Sequence, residues 1–563
     1  MKSQCKTRSL FAGLLSVLLA ANGIWARGEA AAERFSSPTA SQIYVVDLIK
    51  AESFPRKMAD TLATFQGVVN RDRPRLFVIR YDEDYFWLSA LEKCYGFKPV
   101  ALADPWLAFD KPDLKERCDG LIVYGKDDCE LASNVAVTLA GLRGCAIFEG
   151  NDRELADIQK RGFTVKEDIR GRWKTSEEAQ AWAFKNLRPQ CNPDFIAISR
   201  GGYHGATDKD LIVQQRMFVL CLDSTGRYIK DAKTTQRECL ASYKPAIVYG
   251  FWSKEVPDVA FLSSFGHTEG GDAPNDSVYW HLPKPAEFKQ KSFGEPPQYD
   301  PAKTYIFVSF SQGDSLRFCQ KFNLWHLTQK SATAPGKLVR ERYPFGLMHS
   351  TLQYGVQPIV PNVLYDLVVA PGPSGLAGQW FAAKGYGYAN PSTLEEHGFL
   401  DLYLNRSREA MRRMGIVDFM LNDRGVEGDP SRKIVTKIAR VLKPRSIIMK
   451  HQLDAKEQFD DPVAFIEGVP VFPDPVFDLD DPDSPKEFDV NLTVQRILES
   501  QKKRQFFWVF LRHQVTVADL EKLMDKLAAE HKNIVVLNPD VFIRFCLNLA
   551  KGPAVASKAF ARR

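Results

Sequence analysis

Acidic, imidazole and amide side chains recur in this chain at one kind of position, the end of a short apolar run. "YIFVSFSQGDS" carries Asp314 just past its apolar stretch, "FGLMHS" brings in His349, and "LVVAPGPSG" ends in a glycine-rich turn with Ser374. "VDFMLND" ends in Asn422 and Asp423, and "FFWVFLRH" in His513. Runs of this length bounded by polar residues predict β-strands, and in α/β folds ligands meet the carboxyl ends of parallel strands. Two carboxyls on different strands suit glycosidic-bond hydrolysis, in which one donates a proton to the leaving oxygen and the other acts as base or nucleophile. Asp314 and Asp423 form that pair, with His513 beside them and His349, Ser374 and Asn422 available to sugar hydroxyls. Asp314 with His349 or His513 would also serve a metal-assisted deacetylase, through an activated water. No Cys-x-x-Cys or His-x-x-x-His pair marks a zinc site, so no cofactor is expected. Asp314 equally suits the N-cap of the helix that follows it, and Asn422–Asp423 suits an ordinary turn.

A second feature is aromatic. "KGYGYANPSTLEE", Lys384 to Glu396, sets two tyrosines among glycines just ahead of a helix entrance. Gly385 and Gly387 permit backbone conformations closed to other residues, and Pro391 and Ser392 then start the helix. Tyr386 and Tyr388 are thereby delivered to the rim of the strand-end face, to stack on or hydrogen-bond a substrate. His267, in "SSFGHTEGGDAP", is a further candidate for substrate contact. Aromatics make up 12% of the chain, with 10 Trp and 18 Tyr, and such rings cover the apolar faces of sugars. A non-catalytic glycan-binding protein would use the same rim.

The elements that must position these residues follow from length and pattern. A chain of 563 residues is too long for one core. With 45% hydrophobic residues, 26% charged residues and a net charge of +6 spread along the chain, nucleic acid is not an expected partner. Residues 1–32 read as a signal peptide: Lys2, Lys6 and Arg8, the apolar stretch Leu10 to Ala21, then small residues at Ala26, Ala30 and Ala32. No later run is long enough to span a membrane, so a secreted or periplasmic protein is expected. Beyond Cys5 the cysteines number nine, irregularly spaced, and read as buried free thiols. Oligomeric state leaves no mark in the sequence.

Short strands alternate with helical stretches from Gln42 onward, which predicts parallel α/β layers. The reading is an amino-terminal domain over 36–118, a second small α/β domain over 119–202 and a third over 203–285. In the third, "VAFLSSFG" is taken as a strand. A proline-rich linker follows at 286–302. Residues 303–550 then hold seven or eight strand candidates alternating with helices, the size of a (β/α) barrel. There "LVVAPG" is the third strand, and a long helix starts at Ser392, with Leu400, Leu404, Ser407, Met411 and Met414 on one face. The aspartates at 478, 480, 481 and 483 read as a solvated acidic loop.

"GYGYANP" resembles the signature of the GxGYxYP putative glycoside hydrolase family, through Gly385, Gly387, Tyr388 and Pro391. Asn390 stands where the pattern has its second tyrosine. "FQGVVNRDRPRLFV", "SSFGH", "FVSFSQGDS" and "GPSG" resemble that family as well. The resemblance implies a secreted bacterial protein with small amino-terminal domains, a larger carboxy-terminal domain and a carbohydrate substrate.

Overall fold

The computed structural model describes residues 41–51, 53–199, 209–222, 232–250, 255–284, 288–290, 293–311, 315–368, 378–422, 431–450, 463–473, 475–477 and 488–551. The signal-like segment, Asp314, Ser374, Asp423 and the acidic loop lie outside these residues. Two compact units emerge. One takes the chain up to 258 with 270–285 and 355–359, and the other takes 259–269, 286–354 and the chain from 360 on.

The amino-terminal unit repeats one small module. Strands β1 (Gln42–Asp47), β2 (Leu76–Ile79) and β3 (Lys98–Ala101) form a parallel sheet of order β2-β1-β3. Strands β4 (Leu121–Tyr124), β5 (Ala146–Glu149) and β6 (Val165–Asp168) repeat that order, with β4 central. In the third module β7 (Phe195–Ile198) is again central, between β8 (Phe218–Leu220) and β9 (Ile247–Gly250). Runs such as Ile-Tyr-Val-Val and Leu-Ile-Val-Tyr are β-branched and aromatic, which favours the pleated, buried setting they occupy. The helix Arg56–Val69 presents Met58, Leu62, Phe65 and Val69 at helical spacing. These pack in one core with Val46 and Val78 of the first sheet and Leu121, Val123 and Phe148 of the second. The first two modules therefore share an interior.

Buried polar side chains tie this unit together. Asn275, at φ +63°, accepts from the Val78 N–H (3.0 Å) and from Gln66 (2.8 Å), and it donates to the Val78 carbonyl (3.0 Å) and to Asp84 (3.3 Å). Asparagine tolerates the left-handed region better than most residues, so one side chain can satisfy both backbone groups of Val78.

Strand β10 (Thr268–Gly271) spans the division between the units. The carboxy-terminal unit is built on a curled sheet. Its strands are β11 (Thr304–Ser311), β12 (Pro344–His349), β13 (Gly378–Ala383), β14 (Asp418–Leu421), β15 (Ser446–Met449), β16 (Ala464–Ile466), β17 (Val469–Phe472), β18 (Val476–Phe477), β19 (Phe506–Arg512) and β20 (Ile534–Val536). The order is β16-β17-β15-β14-β13-β12-β11-β19-β18, with β20 also on β11 and all pairings parallel except that of β16 with β17. Phe472 and Val476 belong to strands near opposite ends of this ladder, yet four residues of chain span at most roughly 14 Å. The sheet must therefore curl like a barrel to bring its ends together.

Five expectations need correction. The third strand is β13, "GQWFAA", while "LVVAPG" begins in the last turn of the helix Ile359–Leu367. "VAFLS" belongs to the helix Glu255–Ser263. The long helix is two, Pro391–Glu396 and Leu400–Arg413, parted at Gly398 (φ +80°). The caps are Ser315, accepting from Phe318 N, and Asn390, accepting from Thr393 N. The proline-rich segment also packs on the sheet. Gln290 donates to the Phe381 carbonyl (2.8 Å) and accepts from the Phe381 N–H (2.7 Å), beside the single residue pair that joins β13 to β14.

Candidate active site at the strand ends of the carboxy-terminal unit

The signature loop leaves the carboxyl end of β13. Gly385 (φ +90°) and Gly387 (φ +82°) are required there twice over, by backbone conformation and by space. A Cβ on Gly385 would lie 1.9 Å from the Tyr403 hydroxyl, and one on Gly387 would lie 2.8 Å from the Glu269 carbonyl. Tyr403 donates to the carbonyls of Lys384 (3.1 Å) and Gly387 (3.2 Å), and Thr351 holds the Gly385 carbonyl (2.9 Å). Tyr388 and Glu269 exchange both backbone hydrogen bonds, at 2.7 and 2.8 Å. The loop is thus a fixed turn.

Tyr386 and Tyr388 are both half-buried. Burial raises the Tyr386 pKa above its ordinary value, with Arg406 pulling weakly the other way. Tyr388 lines a cavity of about 10 Å³ with Lys384, Tyr403 and Asn422. That is room for one water.

At the end of the neighbouring strand β12, the His349 ring is wholly buried, 3.4 Å from Asn323 and packed on Phe381. Burial drives its pKa down to about 3, against a smaller upward pull from Gln353, so the ring is neutral at any working pH. Asn323 closes a π-helical turn, Cys319–Asn323. This irregularity often marks functional sites. The same stretch supplies Phe318 and Phe322, whose rings lie 4.9 and 4.8 Å from the half-buried His513 that follows β19. His267 is fully buried and stacked on Phe265.

His349, Asn422 and His513 therefore follow or end strands of one sheet, and Tyr386 and Tyr388 share its carboxyl face. Neither His349 nor His267 reaches the surface. Sequence reasoning missed Asn323, which touches His349, and Glu269, a fully buried carboxylate on the backbone partner of Tyr388. Nothing local distinguishes either residue in the sequence. Among the described residues no three His, Cys, Asp or Glu side chains are grouped to hold a metal ion, and no helix is long and apolar enough to cross a membrane.

Residues 302–546 match the description "GxGYxYP putative glycoside hydrolase C-terminal domain". Residues 42–111 match the family's first amino-terminal domain and 118–191 its second. The chain belongs to the GxGYxYP family. Its fold is similar to the crystal structure of a putative hydrolase from Bacteroides thetaiotaomicron VPI-5482, with a TM-score of 0.74 at 15% identity over 92% of this chain and 96% of that one. No curated protein matches the chain. Within the GxGYxYP pattern this chain departs at Asn390, and the structure gives the substitution a role. The Asn390 side chain accepts from the Thr393 N–H at 2.8 Å and caps the helix that the signature proline begins.

Proposed function

We propose that this GxGYxYP protein is exported and hydrolyses glycosidic bonds at the carboxyl face of its curled sheet. The observation that carries the reading is the position of the family's signature turn at the carboxyl end of β13, in the sheet whose strands β11 and β14 lead directly into Asp314 and Asp423. Three inter-strand steps separate β11 from β14, about 14 Å along the sheet, and curling shortens that distance. One aspartic acid protonates the leaving oxygen, and the other activates water or attacks the anomeric carbon. His513, held by Phe318 and Phe322, orients a carboxyl or the substrate. Tyr386, Tyr388, Ser374 and Asn422 meet the sugar, while the enclosed His349 and His267 brace the strand ends. The leader-like residues 1–32 support export.

The test is release of reducing ends from a panel of plant and bacterial polysaccharides. Asp314→Asn and Asp423→Asn are each expected to lower the rate by about 10² to 10⁴. Full activity in both variants overturns the assignment. Acetate release lost on chelation would indicate a deacetylase, and glycan binding without turnover a binding protein.

A further inference from the structure

We propose that the first module of the amino-terminal unit carries a separate binding site for an uncharged, pyranose-sized polyol, in the crevice at the carboxyl ends of β1 and β3. The sheet order β2-β1-β3 sends the chain from β1 to one side and brings it back to β3 on the other, so the loops after these two strands diverge. Such switch points are where open parallel sheets hold ligands. A cavity of about 630 Å³ opens there, well within the roughly 300–1,000 Å³ of small-molecule sites.

Its lining alternates polar groups with rings. Asp47, Lys50 and Phe54 come from the end of β1 and its loop, Tyr85 from the helix Asp82–Tyr95, Asp104 from the loop after β3 and Trp106 from the start of the helix Trp106–Asp110. Asp47 is held firmly. One of its oxygens accepts from the backbone N–H groups of Ile49 and Lys50 (both 3.1 Å), and the other takes the Tyr85 hydroxyl (2.5 Å) and the Lys50 ammonium (3.1 Å). Partial burial pushes its pKa up, but these donors outweigh burial and keep the carboxyl ionised. Phe54 and Trp106 meet edge to face at 5.3 Å, and Arg161 lies 4.7 Å over Trp106.

A fixed carboxylate, a phenol and an ammonium beside two aromatic rings match a molecule with hydroxyls around its edge and an apolar face. Two carboxylates against one lysine disfavour an anion. The β1 loop, "DLIKAESFPR", also lacks the glycines that let a backbone cradle phosphate. A sugar ring fits, whereas a nucleotide does not. The site lies wholly within the amino-terminal unit, so its occupancy does not depend on Asp314 or Asp423.

The full chain is titrated calorimetrically with D-glucose, D-galactose, N-acetyl-D-glucosamine, cellobiose and AMP. At least one sugar is expected to bind saturably. Asp47→Asn keeps an oxygen for the two backbone N–H groups but loses the charge, and should weaken binding about tenfold or more. Lys50→Met alters a side chain 77% exposed and leaves folding alone; it should weaken binding severalfold, and it decides the matter should Asp47→Asn fail to fold. The proposal is overturned if no sugar binds, if sugar binding is unchanged in the folded variants, or if AMP binds in place of the sugars.

Discussion

Gly385 and Gly398 look alike in sequence and share a positive φ, +90° and +80°, but a side chain would meet very different surroundings at each. At Gly398 nothing lies within 4 Å of the added carbon, so Gly398→Ala pays only for backbone strain, about 1 kcal/mol. At Gly385 the carbon would sit inside the Tyr403 hydroxyl, which also holds two carbonyls of the signature loop. Gly385→Ala is expected to cost about 2–4 kcal/mol, strain and overpacking together. Urea denaturation of the two variants checks the difference, and equal losses would show that the turn yields freely. The signature glycines are thus requirements of backbone geometry.

Between β13 and β14 the ladder is held by one residue pair, and Gln290 supplies the bonds that Phe381 needs. Gln290→Ala would strand an N–H and a carbonyl, and is expected to destabilise the protein by about 2–4 kcal/mol in chemical denaturation. Gln290→Glu, which retains the acceptor and loses the donor, should fall between. The sequence shows little of this, because a proline-dense stretch reads as a connector, whereas its Gln290 and Phe293 meet the sheet at Phe381 and Gly378 and its Phe288 packs on Tyr365. The same limit hid β13. "GQWFAA" has Gly, Gln and two alanines where β-branched residues would announce a strand, and its pairing with all six residues of β12 overrides that weak local preference. "LVVAPG" has the better strand composition, yet Leu367 ends a helix. By contrast, β11, β12, β14 and β19 are legible as apolar runs ending in polar residues. The polar strand-end residues His349, Asn422 and His513 were found by position alone. Asn323 and Glu269 were not, because only the fold brings them beside His349 and Tyr388.

Across the whole molecule, the amino-terminal unit depends on buried polar groups, and this sets a pH response. Asp84 is fully buried, and burial lifts its carboxyl pKa to about 7, against the backbone N–H groups of Arg80 and Tyr81 that it accepts from. In the unfolded chain the group titrates near its ordinary value of about 4. Between these values the native state keeps a proton that the unfolded chain has lost, so stability falls as pH rises through that window. Asp84→Asn should flatten this slope. The comparison is the unfolding free energy of wild type and variant at pH 4.5 and 7.5, and parallel slopes would show that Asp84 is already ionised in the fold.

The carboxy-terminal unit is closed by its own extremities. Thr304, at the start of β11, pairs with Ile534, and Arg544 donates to the carbonyls of Phe293 and Gly294. On the ribosome, β11 can pair with β12 soon after it emerges, but its other partners, β19 and β20, follow only after about two hundred further residues. Until then that edge of the strand is open to chaperones or other nascent chains. Synthesis speed and chaperone supply, more than intrinsic stability, should govern how much of this protein is recovered intact.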